Sequence, residues 1–208
     1  TLSMPELSII TNFVSFGATE TQKSFAISNT GGGDLIWDAT VKEPWVSINP
    51  ASGTVGTGGS INVIVTVSRD DIVPGFYTDK VVVTSNGGDD SVDIFMSVAG
   101  LSATPESLTF AATEDQKTIT ISNTGAGTLN WLATDNRLWL TPTPANGAVE
   151  PNLSMDVTVT VSRIGLAPGE YAGTILFTSN GGNVAIPVTM FVANPTISVN
   201  PEALTFGS

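Results

Sequence analysis

Polar and apolar side chains alternate along this chain in short runs that Gly, Pro and Asn separate. Between Ile61 and Val67, for example, every second side chain is Ile or Val. Alternation with a period of two places the apolar side chains on one face of a β-strand, and no window keeps a helical period. Short strands with turn residues between them predict an antiparallel β-sandwich.

The whole pattern is present twice. Residues 7–100 align with residues 101–194 without a gap, and the strands and turns recur together. The turn segment 27–31, for example, is identical to 121–125. A repeat of this length has the size of a small domain and is too long for a solenoid unit. We therefore predict an all-β chain of tandem seven-stranded immunoglobulin-like β-sandwiches.

The predicted domains are residues 1–100 and 101–194, and the short junction between them favours a stiff end-to-end array. Residues 195–208 would form the first strand of a third repeat or a strand donated to a neighbour, because 201–206 closely repeat 105–110. We expect the sequence to be part of a longer chain, with further repeats or neighbouring copies of the chain as partners. The candidate residues for strand donation are the apolar side chains of the tail: Ile197, Val199, Leu204 and Phe206.

Composition argues against several functions. The chain has no His and no Cys, so it lacks the usual general base, the thiolate nucleophile and the soft metal ligands. We therefore predict that it is not an enzyme and that it uses no cofactor. The net charge of −12, from 19 acidic and 7 basic residues, opposes binding to nucleic acid or to anionic membranes. No apolar stretch is long enough to predict insertion into a membrane.

Each copy carries the same motifs in the same order. They are an Asn-Thr-Gly turn, a Leu-x-Trp strand, a second Trp followed by Pro-x-x-Gly, then Val-x-Val-Thr-Val or its equivalent, Pro-Gly-x-Tyr, and Thr-Ser-Asn-Gly-Gly. This order resembles the BACON-type immunoglobulin-like repeat of bacterial and phage surface proteins. The resemblance implies the fold and, through the family's name, binding of carbohydrate by an accessory module. The opening strand of the first copy departs from the pattern, with Thr11 and Asn12 where the second copy has Pro105 and Glu106.

Four tryptophans recur, Trp37 with Trp131 and Trp45 with Trp139. Exposed indole rings would stack on sugar rings, so these four residues are the alternative glycan contacts. However, Trp37 is in phase with Leu35 on the predicted inward face of its strand. We favour packing in the core, with the indole N–H bonded to a turn.

Two other recurring features suggest structural roles. Tyr77 and Tyr171 each follow a Pro-Gly pair, which predicts corner tyrosines whose hydroxyl groups bond back to the backbone. Arg69 and Glu20 both recur in the second copy, and the predicted role is an ion pair that either joins two strands or holds a turn. An exposed pair of this kind contributes about 0–1 kcal/mol.

Acidic loops of the first copy suggest calcium as a possible ligand. Residues 70–71, 89–90 and Asp93 supply the carboxylate oxygens that Ca²⁺ prefers. The second copy has Ile164 and Gly165 in place of the first of these pairs. Because a calcium site that organises an array should recur, we favour a solvated acidic surface.

The functional prediction is a non-enzymatic, extracellular structural or adhesive segment. It would serve as a stalk, spacer or filament subunit on a cell surface or a phage particle. In one version of this role, copies assemble by strand addition through residues 195–208. The alternative is a carbohydrate-binding accessory module of a secreted or phage protein, which an exposed aromatic platform in each copy would favour.

Overall fold

The computed structural model describes residues 4–195 of the 208-residue chain. Within this part the chain forms eighteen β-strands and no helix. Repeat 1 contains β1 (Leu7–Ser8), β2 (Phe13–Phe16), β3 (Gln22–Asn29), β4 (Leu35–Thr40), β5 (Val46–Asn49), β6 (Ser52–Val55), β7 (Ser60–Val67), β8 (Gly75–Ser85) and β9 (Asp90–Val98). Repeat 2 contains β10 (Leu101–Thr104), β11 (Leu108–Phe110), β12 (Gln116–Asn123), β13 (Leu129–Asp135), β14 (Leu140–Thr143), β15 (Asn146–Val149), β16 (Ser154–Val161), β17 (Gly169–Ser179) and β18 (Gly182–Val192).

Each repeat is a sandwich of one four-stranded and one five-stranded sheet. In repeat 1 the sheet orders are β1-β3-β7-β5 and β2-β9-β8-β4-β6, and repeat 2 has the same topology. The strands pair antiparallel except for β2 with β9 and β11 with β18, which are parallel. The prediction of an all-β chain of tandem immunoglobulin-like sandwiches is confirmed.

Each repeat has nine strands where the sequence predicted seven. The opening segment accounts for one of the two extra strands, because it divides into β1 on one sheet and β2 on the other. The short strand β6 accounts for the second, because it pairs with the edge of β4. Its Ser-Gly-Thr-Val sequence lacks the apolar alternation by which the longer strands are recognised.

The strand alternation builds a separate hydrophobic core in each repeat. Val63, Val65 and Val67 of β7 point inward and are buried, as are their counterparts on β16. Burying one such side chain contributes about 1.5–3 kcal/mol. No helix in residues 4–195 has the length and apolar composition needed to cross a membrane.

The predicted corner tyrosines are confirmed. The Tyr77 hydroxyl donates a hydrogen bond of 2.7 Å to the carbonyl oxygen of Val73. In repeat 2, Tyr171 donates in the same way to Ala167, at 2.9 Å. Each bond spans four residues and fixes the turn that leads into the long strand β8 or β17.

Candidate functional site

All four tryptophans lie in the cores. The exposed fractions of Trp37, Trp45, Trp131 and Trp139 are 1%, 6%, 3% and 9%. The predicted core packing is therefore confirmed, and none of these indoles presents a ring face to solvent. The predicted hydrogen bond from the indole N–H to a turn is wrong for Trp37 and Trp131, whose Nε1 atoms are buried without a partner.

In each repeat, a glycine on the neighbouring strand makes room for the indole. Trp37 pairs in register with Gly53, and Trp131 pairs with Gly147. A Cβ atom at Gly53 would come within 3.2 Å of Nε1 of Trp37, and one at Gly147 within 2.9 Å of Cζ2 of Trp131. The indole therefore packs over the bare Cα of the neighbouring strand, and its N–H faces that strand and not a turn.

The junction between the two repeats is the candidate functional site of the described structure, because its linking residues are buried and bonded through their backbone. Strand β9 leaves repeat 1 and continues directly through residues 98–100, here called the connector, into β10 of repeat 2. All three connector residues are buried. Backbone hydrogen bonds hold the connector and its exit on repeat 2: Ala126 N to Val98 O at 2.9 Å, Thr124 N to Gly100 O at 2.9 Å, and Leu101 N to Gly181 O at 2.9 Å.

A buried asparagine side chain completes this docking. Asn123 is 1% exposed, and its Oδ1 accepts hydrogen bonds from the backbone N–H groups of Gly100, at 3.2 Å, and Gly125, at 3.0 Å. Its Nδ2 donates to the carbonyl oxygens of Gly127 and Val149, at 2.8 and 3.0 Å. One amide thus joins the connector, the following turn and strand β15. Asn29 makes the equivalent contacts in repeat 1.

From the sequence, this asparagine is predicted only as part of a turn. A usable signal was present, because Phe25, Ile27 and Asn29 continue one inward-facing alternation along β3. An asparagine in an inward phase must satisfy its amide inside the protein, since an unpaired buried amide is costly.

Side chains of repeat 1 also enter the core of repeat 2. Ala18, in the loop after β2, and Ala99 of the connector both belong to the buried cluster of repeat 2. Gly127 has a φ of 74°, and a Cβ atom there would lie 2.9 Å from the Cβ atoms of Ala18 and Ser97. The glycine therefore permits a close approach of the two repeats that any larger residue would prevent.

Arg69 supports the loop that carries Ala18. Its guanidinium donates to the carbonyl oxygens of Glu20 at 2.8 Å and Ser97 at 3.0 Å, and also to that of Gly17. Burial lowers the pKa of this guanidinium, with the nearby Glu20 carboxylate acting in the opposite direction. Arg69 therefore ties the loop to the last strand of repeat 1.

The predicted Arg69–Glu20 ion pair is wrong. The Glu20 carboxylate accepts from the Gly17 N–H at 3.1 Å and pairs with Lys23 at 2.9 Å. These two contacts lower the pKa of Glu20. In repeat 2, Arg163 pairs with Asp115 at 2.6 Å and not with Glu114. In both repeats the arginine donates instead to backbone carbonyl groups of this loop, those of Gly17 and Glu20 in repeat 1 and those of Ala111 and Glu114 in repeat 2.

Repeat 1 carries an exposed row of phenylalanines that the strand pattern of the sequence does not predict. The ring centroids of Phe13 and Phe95 are 6.0 Å apart, and Phe76 stacks on Phe95 at 5.9 Å with an interplanar angle of 19°. Phe13 and Phe76 are 59% and 60% exposed. The corresponding residues of repeat 2 carry no rings: Ser107, Thr189 and Glu170.

The acidic loops do not converge on a cation site. Asp93 pairs with Lys80 at 2.9 Å, and Asp89 accepts from the backbone N–H of Ser85 at 3.1 Å. Asp70 bonds to Ser68 at 2.9 Å. No group of three or more potential metal-ligating side chains occurs between residues 4 and 195. The four tail residues predicted for strand donation lie outside the described residues.

Several solved structures resemble this chain. A protein of unknown function from Porphyromonas gingivalis W83 is 17% identical, with a TM-score of 0.41, covering 89% of this chain and 99% of that chain. The periplasmic chaperone SfaE is 14% identical, with a TM-score of 0.42 and the same coverages, 89% and 99%. SSP-19, an MSP-domain-like protein of Caenorhabditis elegans, is 25% identical, with a TM-score of 0.37, covering 44% of this chain and 100% of that chain.

The family is shown by sequence. No curated protein matches the chain. The viral BACON domain matches it twice, at residues 6–97 and 100–191, so each match spans one of the two sandwiches. This agrees with the resemblance that the order of motifs indicated. The chain therefore belongs to the viral BACON domain family, as a tandem pair of its β-sandwich modules.

Proposed function

We propose that this chain is a non-enzymatic structural segment, a stalk, spacer or filament subunit, that acts outside the cell or on a phage particle. The junction carries this proposal. The connector is fully buried and bonded through its backbone, and Ala18 of repeat 1 packs in the core of repeat 2. A linker with these contacts transmits orientation from one repeat to the next, which is what a spacer requires.

The chemistry of the chain supports the same proposal. The sequence has no His or Cys to serve as base, nucleophile or soft metal ligand. The acidic surface keeps an extended array soluble, because net charge of one sign opposes self-aggregation. A role on a phage particle agrees with the match of both repeats to the viral BACON domain.

Spin-label distances test the proposal directly. Because the chain has no Cys, labels can be placed at Ser24→Cys and Thr118→Cys, two equivalent exposed positions on β3 and β12. We expect one narrow distance distribution. A broad distribution, like that of two domains on a flexible tether, would refute the spacer role while leaving the fold intact.

A second candidate function rests on the phenylalanine row. Aromatic faces stack on sugar rings, and the Lys80–Asp93 ion pair beside the row offers polar contacts for hydroxyl groups. This surface supports the carbohydrate-binding alternative in repeat 1. It differs from the predicted platform because it is absent from repeat 2 and uses no tryptophan.

Glycan binding by the full chain tests this candidate. We expect Phe95→Ala to abolish any binding, because Phe95 contacts both other rings. Leu132→Ala is the matched control, since Leu132 is an exposed apolar residue of repeat 2. Equal binding by both variants would exclude the row as a glycan site.

A further inference from the structure

We propose that two copies of this chain pair through strand β15 of repeat 2, edge to edge and antiparallel, about a two-fold axis. Strand β15 lies at one edge of the five-stranded sheet of repeat 2, next to β13. Pairing at this edge would join the sheets of two copies into one continuous sheet. The inference adds a partner and a surface to the proposed structural role, and it does not depend on how stiffly the two repeats are joined.

The edge of β15 carries backbone groups that have no partner. The Ala133 N–H donates to the carbonyl oxygen of Ala145 at 2.7 Å, and this bond sets the phase of the antiparallel ladder between β13 and β15. Because such a ladder alternates, Gly147 bonds to β13, whereas Asn146 and Ala148 direct their N–H and C=O groups to the open side. Among residues 4–195 these outward groups accept and donate no hydrogen bond. Donors and acceptors on alternate residues match the backbone of an added strand.

The other edges of repeat 2 are less open than β15. The outward positions of β14 are Leu140 and Pro142: the Leu140 N–H is bonded to the carbonyl oxygen of Arg137 at 3.1 Å, and Pro142 has no N–H. In β10 the Leu101 N–H is bonded to the carbonyl oxygen of Gly181, and β11 is only 3 residues long. Because proline and bonded N–H groups protect a sheet edge from pairing, β15 is the edge of repeat 2 that can take another strand.

The sheet face beside β15 is uncharged where the same face of repeat 1 is charged. On repeat 1 this face carries Asp38 and the ion pair of Lys80 with Asp93. The corresponding residues of repeat 2, in the same order, are Leu132, Thr174 and Pro187. Leu132 and Leu176 are 47% and 40% exposed, so this face of repeat 2 is apolar as well as uncharged.

Net charge decides which surface two copies can share. Each copy carries a charge of −12, so copies repel one another and approach most easily through an uncharged surface. Strand β15 has no charged residue, and the outward side chains beside it on β13, Asn130 and Leu132, have none either. Strand β6 of repeat 1 has the same backbone phase, but its Ser52 has the charged Asp38 as register partner. A pair formed through β6 would therefore bring like charges together, and a pair formed through β15 would not.

The sequence around β15 specifies one register for the pair. With Asn146 of one copy opposite Ala148 of the other, every outward N–H and C=O group of both residues finds a partner. Gly147 then faces its own counterpart across the axis, and it has no side chain to keep the two strands apart. A shift in one direction would bring Pro144, which has no N–H, into the ladder. A shift in the other direction would use Glu150, which is charged and whose carbonyl oxygen is already bonded in the following turn.

Disulfide trapping between two single variants of the full chain tests this register. The chain has no Cys, so Asn146→Cys and Ala148→Cys each introduce a single thiol. In the proposed pair these two positions face each other within disulfide range, whereas each position lies beyond that range from its own counterpart. An equimolar mixture, oxidised at high protein concentration, should therefore give more of the mixed dimer than random pairing of the two variants would give. Mass spectrometry distinguishes the mixed dimer from the two symmetric dimers.

A mixture of Thr141→Cys with Thr143→Cys is the matched control. Both positions are exposed and have the same spacing, but they lie on β14, whose edge is closed. We expect this mixture to give only random pairing. If the β15 mixture gives no more of the mixed dimer than the β14 mixture gives, or stays monomeric, the copies do not pair through β15 and the proposal is wrong. The open edge would then be available to a strand of a different protein.

Proline variants test the same edge without cysteines. Ala148→Pro removes an outward N–H and leaves the ladder with β13 intact, in the way that Pro142 occupies an outward position of β14. By sedimentation, Ala148→Pro should weaken self-association about tenfold or more, because both copies lose a bond across the axis. Thr54→Pro, at the equivalent position of β6, should leave self-association unchanged, and equal effects of the two variants would contradict pairing through β15. The cysteine variants keep the backbone unchanged, so they test the pairing even where a proline variant does not fold.

The salt dependence distinguishes this pairing from an ionic contact. Because the copies carry like charge, screening should strengthen their association as the NaCl concentration rises. Association that weakens with salt would mean that the copies bind through ion pairs, and it would contradict an uncharged edge. The spin-label distance within one copy is measured in dilute solution, where the copies are apart, so this proposal and the proposed spacer role fail separately.

Discussion

Replacing Asn123 with alanine should weaken repeat 2 and loosen its junction with repeat 1. The amide makes four hydrogen bonds from a side chain that is 1% exposed. Alanine would leave two N–H groups and two carbonyl groups without that partner. Stranding one buried polar group costs about 1–3 kcal/mol. Because water can reach some of the four after local relaxation, we expect a loss of about 3–5 kcal/mol.

Amide hydrogen exchange, measured peptide by peptide, reports the loss of stability separately for each repeat. We expect faster exchange in β12, β13 and β15, and a broader distance distribution between labels on the two repeats. Asn29→Ala should destabilise repeat 1 by a similar amount without broadening that distribution, since its partner Glu6 belongs to the opening segment. Asn62→Ala changes an exposed asparagine of β7 and is the control. If Asn123→Ala lowers the free energy of unfolding of repeat 2 by less than about 1 kcal/mol, the amide does not stabilise the junction as we infer.

Three further predictions follow from the junction and its supports. Gly125→Ala should broaden the distribution of inter-repeat distances, because its Cβ would collide with the carbonyl oxygen of Val98. Gly56→Ala is the control, since a Cβ there would meet only the Asp34 carboxylate, at 3.8 Å, and it should leave the distribution unchanged. Equal distributions for the two variants would contradict the packing. Arg69→Gln should raise the rate of hydrogen exchange in the loop 17–20 about tenfold, because it removes the hydrogen bonds from the guanidinium to the carbonyl groups of the loop. An unchanged exchange rate would show that the loop is ordered without Arg69. The lowered pKa of Glu20 means that its contribution to stability is complete above the unfolded pKa and disappears as pH falls through the folded pKa. As the pH is lowered below about 4.5, the melting temperature should therefore fall, and it should fall less in a Glu20→Gln variant. Identical pH profiles for the two proteins would show that Glu20 does not contribute to this pH dependence.

The fold could be predicted because its determinants are local. Alternation along segments such as residues 61–67 specifies both the strand and the face that it buries. The duplicated pattern then gives two sandwiches, since each copy has enough apolar side chains for a core of its own. The hydrogen bond of the Tyr77 hydroxyl group could be predicted for the same reason, because its partner Val73 lies only four residues away.

The junction could not be read in the same way, because its contacts join residues distant in sequence. Ala18 and Gly127 are small residues with no pattern that links them, yet their approach fixes how the repeats meet. The phenylalanine row was hidden for the same reason. Phe13, Phe76 and Phe95 lie on three different strands, and only the sheet order brings them together.

The central claim is that the two repeats move as one body, and residual dipolar couplings measured on the full chain test it most directly. Amide couplings from both repeats should fit one alignment tensor with a single orientation and magnitude. Separate tensors, with a reduced magnitude for one repeat, would mean that the buried connector does not hold the repeats together and would contradict the spacer function.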